Sequence, residues 1–151
     1  MDNYVDLNRQ FRELTDVEAD NPEQLTFLHG YTGAGSSWDS IIDYSRVTIL
    51  AEAGSGKTRE LQAQRDKLKA NGSFAFFIPI EDLNNNSLQD VLALNPNDAA
   101  AFKSWEASGD IAWFFLDAVD ELKLVNGKLE RAFARLAAAL GSVGIHRRCE
   151  I

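Results

Sequence analysis

The stretch TILAEAGSGKTRE, residues 48–60, decides the fold because its pattern changes twice. It begins within RVTIL, residues 46–50, whose β-branched and aliphatic side chains are typical of a buried strand. A Gly-Ser-Gly turn follows at residues 54–56. Helix formers without proline then run from residue 57 to residue 70 and end before an Asn-Gly pair. The sequence therefore predicts a strand, a glycine-rich turn and a helix, in that order.

A turn of this kind can hold an anion at the start of its helix. The first backbone N–H groups of a helix have no partner inside it, and they lie at the positive end of the helix dipole. Gly54 and Gly56 allow phosphate oxygens to approach and permit backbone angles that side chains forbid. Lys57 offers an ammonium group to the outer phosphates, and Thr58 offers a hydroxyl to Mg²⁺. We therefore predict a site for a nucleoside triphosphate and Mg²⁺.

The run AEAGSGKT matches the P-loop pattern for phosphate binding, except that an alanine stands in place of the first glycine. The alternative is that Gly-Ser-Gly is only a flexible turn before a helix. The predicted strand before the run and the helix after it favour the phosphate site. The residues predicted to bind nucleotide are Ala51, Glu52, Ala53, Gly54, Ser55, Gly56, Lys57 and Thr58.

A second motif, IAWFFLDAVDEL, begins as an apolar strand and ends in three carboxylates. In open α/β sheets, ligands bind beyond the carboxyl ends of the strands, where these acids emerge. Asp117 is predicted to hold Mg²⁺ through water, and Asp120 or Glu121 to polarise the attacking water. The spacing does not choose between those two acids. The alternative is a strand that ends in a polar loop before a helix whose first turn favours acids.

The remaining patterns place these motifs in an α/β protein. Strands are predicted at residues 73–80 and 111–117, and helices around residues 37–45, 87–94, 97–107 and 129–140. Tyr4, Leu7, Phe11 and Leu14 recur at helical spacing and predict a further short helix. Strands that alternate with helices predict a three-layer sandwich around a mostly parallel sheet. The aromatic residues of the strands and helices are expected in its core.

Composition excludes several classes of function. The 151 residues suit one ordinary domain, and 15 basic against 23 acidic residues give a net charge of −8. This charge argues against a surface that binds nucleic acid, and the longest apolar runs are too short to cross a membrane. The single cysteine, Cys149, has no partner for a disulfide and no metal-ligand spacing around it. These features predict a cytoplasmic protein.

The two motifs together resemble the NACHT domain of the STAND class of signalling ATPases, in its bacterial form. In FFLDAVDEL a small residue, Ala118, directly follows Asp117, and further acids stand two and three positions beyond that alanine. WDSIIDYS and FAFFIPIEDL are also similar to bacterial members. The resemblance covers residues 37–151 and leaves residues 1–36 as a flanking segment.

This resemblance implies a P-loop NTPase sandwich that binds ATP with Mg²⁺ and hydrolyses it slowly. Such a module is a switch that controls self-association of a larger protein, in bacteria often one of anti-phage defence. The family places the strand after the acidic motif between the P-loop strand and the acidic strand, and that strand carries a sensor residue. Only RRCEI stands at this point here. The resemblance therefore predicts a fragment truncated before the sensor strand is complete.

Two other functions remain open from the sequence. One is a binding or scaffolding module that holds nucleotide without hydrolysing it, as expected if Asp117 is misplaced. The other is a P-loop kinase that phosphorylates a small molecule. The sequence has no arginine-rich lid segment, which disfavours the kinase. The choice of ATP over GTP rests on the resemblance alone.

Overall fold

The computed structural model describes residues 9–15, 35–49, 54–117 and 128–141, without the side chains of residues 128–130. The chain divides into two compact units, Met1–Leu50 and Ala51–Ile151. The second unit contains both sequence motifs.

In the first unit, helix α1 is a single turn, Trp38–Ile41, and Ser37 occupies its N-cap position. The helix predicted from Tyr4 to Leu14 is wrong over residues 9–15. There, the Phe11 N–H donates to Ser36 O at 2.7 Å, and the Ser36 N–H donates to Phe11 O at 2.8 Å. The Phe11 ring also meets Trp38 edge-on, with 4.9 Å between ring centroids. These distant partners override the local helical spacing.

The strand predicted at residues 46–50 is also absent over residues 46–49. The side chains of Arg46 and Thr48 are exposed, and those of Val47 and Ile49 are half-buried. No described residue pairs with this segment through a backbone ladder. β-Branched residues favour strands because their side chains pack well on a pleated, partly buried surface. Composition alone therefore does not produce a strand where no neighbouring strand pairs with the segment.

In the described part of the second unit, two parallel strands are joined through three helices. Helix α2, Lys57–Ala70, precedes strand β1, Phe74–Pro79. Strand β2, Ala112–Asp117, pairs with β1 in register from Phe74 opposite Ala112 to Pro79 opposite Asp117. Helices α3, Ile80–Leu83, α4, Leu88–Ala93, and α5, Pro96–Ala107, come between the strands in the chain, and α6, Lys128–Gly141, follows β2. The α/β class with parallel pairing is confirmed.

The two strands are covered on both faces. Phe76, Ile78, Phe114 and Leu116 belong to one apolar cluster with buried residues of α3, α4, α5 and α6. Helix α2 packs on both strands from the other face, where the Arg65 guanidinium lies 6.0 Å from the centroid of the Phe77 ring. Burial on both faces explains why the strands are nearly continuous apolar runs.

Most of the aromatic side chains predicted for the core lie there, but Phe133 on α6 is 37% exposed. Trp105 and Phe114 are almost fully buried, their ring centroids are 5.4 Å apart, and Phe76 stacks on Phe114 at 5.2 Å. The Trp105 indole N–H donates to Asp110 O at 3.0 Å, so its one polar group is satisfied. Phe115 is buried, and Trp113 is half-buried.

The sequence predicts that the strand continues to Ile80, but β1 ends at Pro79 and Ile80 begins the one-turn helix α3. Ile80 and Leu83, at helical spacing, are 4% and 1% exposed. Their burial against the core stabilises a turn that the surrounding polar residues obscure in the sequence. Among the described residues, no helix is long and apolar enough to cross a membrane.

A capping box sets the start of α4. The Asp90 N–H donates to Ser87 Oγ at 3.1 Å, and the carboxylate of Asp90 accepts from Ser87 Oγ at 2.6 Å and from the Ser87 N–H at 3.2 Å. The bond from the Ser87 hydroxyl, and then the bond from its backbone N–H, hold the pKa of Asp90 below the ordinary 3.8. The ionised carboxylate therefore stabilises the folded state.

We expect Asp90→Asn to lower the free energy of unfolding near neutral pH. Because the pKa of Asp90 is lower in the folded state, its contribution is present above its unfolded pKa and is lost as pH falls through the folded pKa. The deficit of the variant should therefore shrink below about pH 4. Urea unfolding at several pH values measures it. Asp110→Asn is the control, because no described residue donates to that carboxylate; a deficit that grew in acid would contradict the prediction.

Candidate functional site

The turn before α2 has the backbone geometry that its glycines permit. Gly54 has a φ of 74° and Gly56, the N-cap residue, has a φ of 87°. Both values lie in the left-handed region that side chains disfavour. The turn therefore has the kind of backbone angles that glycine was predicted to permit here. Residues 51–53, which complete the predicted nucleotide-binding run, lie outside the described residues.

Helix α2 begins at Lys57, as predicted, with Thr58 next in its first turn. Its hydrogen-bond ladder starts where the Glu60 N–H donates to Gly56 O at 3.0 Å. The amides before Glu60 therefore have no carbonyl partner within the helix, and they lie at the positive end of its dipole. This end of α2 can attract an anion, and the half-buried Lys57 adds a positive charge there.

The structure brings the two sequence motifs into direct contact. Thr58 Oγ1 donates a 2.8 Å hydrogen bond to Asp117 Oδ2, across a separation of 59 residues. Asp117 is the last residue of β2 and is only 5% exposed. The carboxyl end of a parallel strand and the first turn of α2 therefore meet at one edge of the sheet. A hydroxyl and a carboxylate, both predicted near Mg²⁺, lie side by side there.

The chemistry of these donors fits Mg²⁺. The ion prefers hard oxygen ligands, and it usually keeps several waters while binding one or two protein groups and substrate phosphates. Thr58 and Asp117 supply a hydroxyl and a carboxylate oxygen at hydrogen-bond distance. Among the described residues, no group of three or more His, Cys, Asp or Glu side chains is arranged to hold a metal ion. The donor set therefore suits a metal shared with a phosphate ligand better than one held by protein alone.

The other predicted acids, Asp120 and Glu121, lie outside the described residues, as does Ala118. Their assignment as groups that polarise water therefore stays a prediction. The described part of the site consists of the turn, the first turn of α2 and the end of β2.

Sequence reasoning missed two buried polar side chains on α2. Glu60 is 4% exposed and Gln64 9%, and Gln64 Nε2 donates to Glu60 Oε1 at 3.5 Å. Charged and amide side chains in a helix are normally expected at the surface. The only signal in the sequence was the place of Glu60 in the first turn, where a negative charge interacts favourably with the helix dipole.

Comparisons with known proteins leave the site to be judged on its geometry. A scan against protein-family models, a search of curated proteins and a search of solved structures each found no match.

We expect Gly54→Ala to destabilise the protein by about 1–2 kcal/mol, because alanine is strained at a φ of 74°. The added methyl would meet no atom within 4 Å, so the cost isolates the backbone angle. Gly109→Ala is the matched control: its methyl also meets nothing, and its φ is not in the left-handed region. Thermal unfolding measures both variants. Equal melting temperatures would show that the turn does not need the left-handed angle.

Proposed function

We propose that this chain is a nucleotide-binding module that holds ATP at the turn before α2 and hydrolyses it slowly. The observation that carries the proposal is the hydrogen bond between Thr58 and Asp117, because it joins the phosphate-binding motif to the acidic motif. Either motif alone has an ordinary structural explanation. Their contact at the carboxyl end of a parallel strand is expected of a triphosphate site.

The triphosphate is the ligand that best fits the first turn of α2. Glycine angles at residues 54 and 56 turn the chain into the helix, and the amides of that turn lie at the positive end of the dipole. Lys57 supplies a mobile charge for the outer phosphates. Residues 46–49 are irregular, so the strand that the P-loop pattern expects before the turn does not support the site. The resemblance to NACHT domains supports the finer assignment of a P-loop sandwich and the choice of ATP.

Thr58 and Asp117 would hold Mg²⁺ together with the phosphates. When bound, the ion supplies positive charge to the phosphate oxygens and helps to orient the outer phosphate for attack by water. The chain's own residues would bind and orient the ligand: Lys57 and the amides of the turn would bind the phosphates, and the Asp117 carboxylate accepts a hydrogen bond from Thr58. Asp120 or Glu121 is proposed to accept the proton of the attacking water.

The resemblance to NACHT domains also supports a role as a switch. In this proposal, ATP binding and hydrolysis control the self-association of a larger cytoplasmic protein, such as one of anti-phage defence. The contact between Thr58 and Asp117 joins the first turn of α2 to the end of β2. A ligand bound there would touch both elements, so its hydrolysis would change the contacts between them.

Lys57→Ala is expected to weaken binding of a fluorescent ATP analogue with Mg²⁺. Removing one charge-assisted hydrogen bond costs about 1.5–3 kcal/mol, or roughly tenfold to hundredfold in Kd. Lys67→Ala, an exposed lysine in the last turn of the same helix, is the control and should bind as the wild type does. A fluorescence titration measures all three proteins. Equal affinity of Lys57→Ala and wild type would exclude the turn as a phosphate site.

Asp117→Asn separates hydrolysis from binding. Asparagine keeps an oxygen that can accept from Thr58, but it removes the negative charge needed to hold Mg²⁺. We expect phosphate release to fall by at least about 100-fold, while nucleotide binding remains. The exposed Asp110→Asn is the control. If wild type binds ATP but releases phosphate no faster than Asp117→Asn, the chain is a non-hydrolysing binding module.

A further inference from the structure

A second concave site lies between the first turn of α4 and one face of α6. Its volume is about 430 Å³, within the usual range for sites that bind small molecules. It lies among the helices that cover one face of the sheet, whereas α2 and its turn cover the other. The residues that line it are Ser87, Leu88, Gln89, Arg135, Ala138 and Ala139.

Arg135 is held in a fixed orientation at this cleft. Its Nη1 donates to Leu83 O at 3.2 Å and to Asn86 O at 3.1 Å. Two acceptors on one nitrogen fix the plane of the guanidinium. Within the described part of the chain, Nε and Nη2 have no partner. Those two nitrogens form the edge that binds a carboxylate or phosphate with two parallel hydrogen bonds.

The charge around the cleft also favours an anion. Arg131 precedes Arg135 by one helical turn and is exposed, and like charges at this spacing repel each other. Asp90, at the start of α4, bonds to Ser87 N and Ser87 Oγ and forms no ion pair with either arginine in the described part of the chain.

The rest of the lining can hold a small apolar body and one polar group. Ala138 and Ala139 offer short side chains at the positions on α6 that follow Arg135 by almost one turn. Gln89 is exposed, and its amide has no partner among the residues that the structure describes. We infer that this cleft binds a small organic oxyanion, in which a carboxylate or phosphate group bonded to Arg135 is carried on a compact apolar body.

Benzoate, phenyl phosphate and benzamide can test the inference by NMR titration of the backbone amides of Gln89 and Ala139. Benzoate and phenyl phosphate should bind with a Kd on the order of 1 mM. Benzamide has nearly the shape of benzoate without its charge, so it should bind at least about tenfold more weakly. Equal affinity for benzoate and benzamide, or no shift of these amides by either anion, would overturn the inference.

Variants of the cleft provide the second arm of the test. Arg135→Gln removes the charge but also the bonds to Leu83 and Asn86, so its loss of binding could reflect misfolding. Ala138→Leu instead fills the cleft from an exposed position, and it should weaken benzoate binding at least about tenfold. Ala134→Leu is the control, being exposed on α6 outside the cleft. Unchanged benzoate affinity in Ala138→Leu would reject the site.

The same NMR titration also distinguishes a small-molecule ligand from a protein partner. A Glu-rich hexapeptide that shifted the same amides with a Kd more than about tenfold below that of benzoate would overturn the small-molecule inference in favour of a protein partner. ATP binding should be the same in Ala138→Leu as in the wild type. Failure of the cleft would therefore leave the proposed nucleotide site intact, and failure of the nucleotide site would leave the cleft intact.

Discussion

The parallel pairing of β1 with β2 is the constraint on which the rest of the second unit depends. Parallel neighbours cannot be joined by a tight hairpin, so the chain must cross over between Pro79 and Ala112. Helices α3, α4 and α5 make up this crossover and bury their apolar faces against the strands. The same pairing aligns the carboxyl ends of both strands, and it brings Asp117 to the edge of the sheet where polar groups can gather.

Helix α2 is held on the other face of the sheet by polar contacts at both ends. At its start, Thr58 bonds to Asp117; at its end, Lys69 Nζ lies 2.5 Å from Asp98 Oδ1 in the first turn of α5. Both carboxylates are nearly buried, at 5% and 6% exposure. Buried polar pairs add little net stability, but losing one partner is costly because it leaves the other unsatisfied. These contacts therefore determine the position of α2 on the sheet more than they add to the stability of the fold.

The two faces of the sheet consequently differ in character. The face toward α3–α6 is closed by an aromatic and aliphatic core, and its polar contacts, including those of Arg135, lie at its rim. The face toward α2 contains buried polar groups, with Glu60 and Gln64 on the helix and Asp117 on the strand. A protein tolerates such a polar layer at a cost in stability, and functional sites are where that cost is usually found.

The sequence by itself determined the elements whose signals are local. The bounds of α2 followed from Gly56 and the Asn-Gly pair after it, and both strands followed from apolar runs that are buried on both sides. Thr58 and Asp117 were predicted as partners of one ion because each belongs to a motif with its own spacing. Only the tertiary structure decided that they touch, that Phe11 pairs with Ser36, that residues 46–49 form no strand, and that Glu60 is buried. The reason is physical: a helix satisfies its own backbone, whereas a strand, a bridge or a buried carboxylate exists only where distant groups supply its partners.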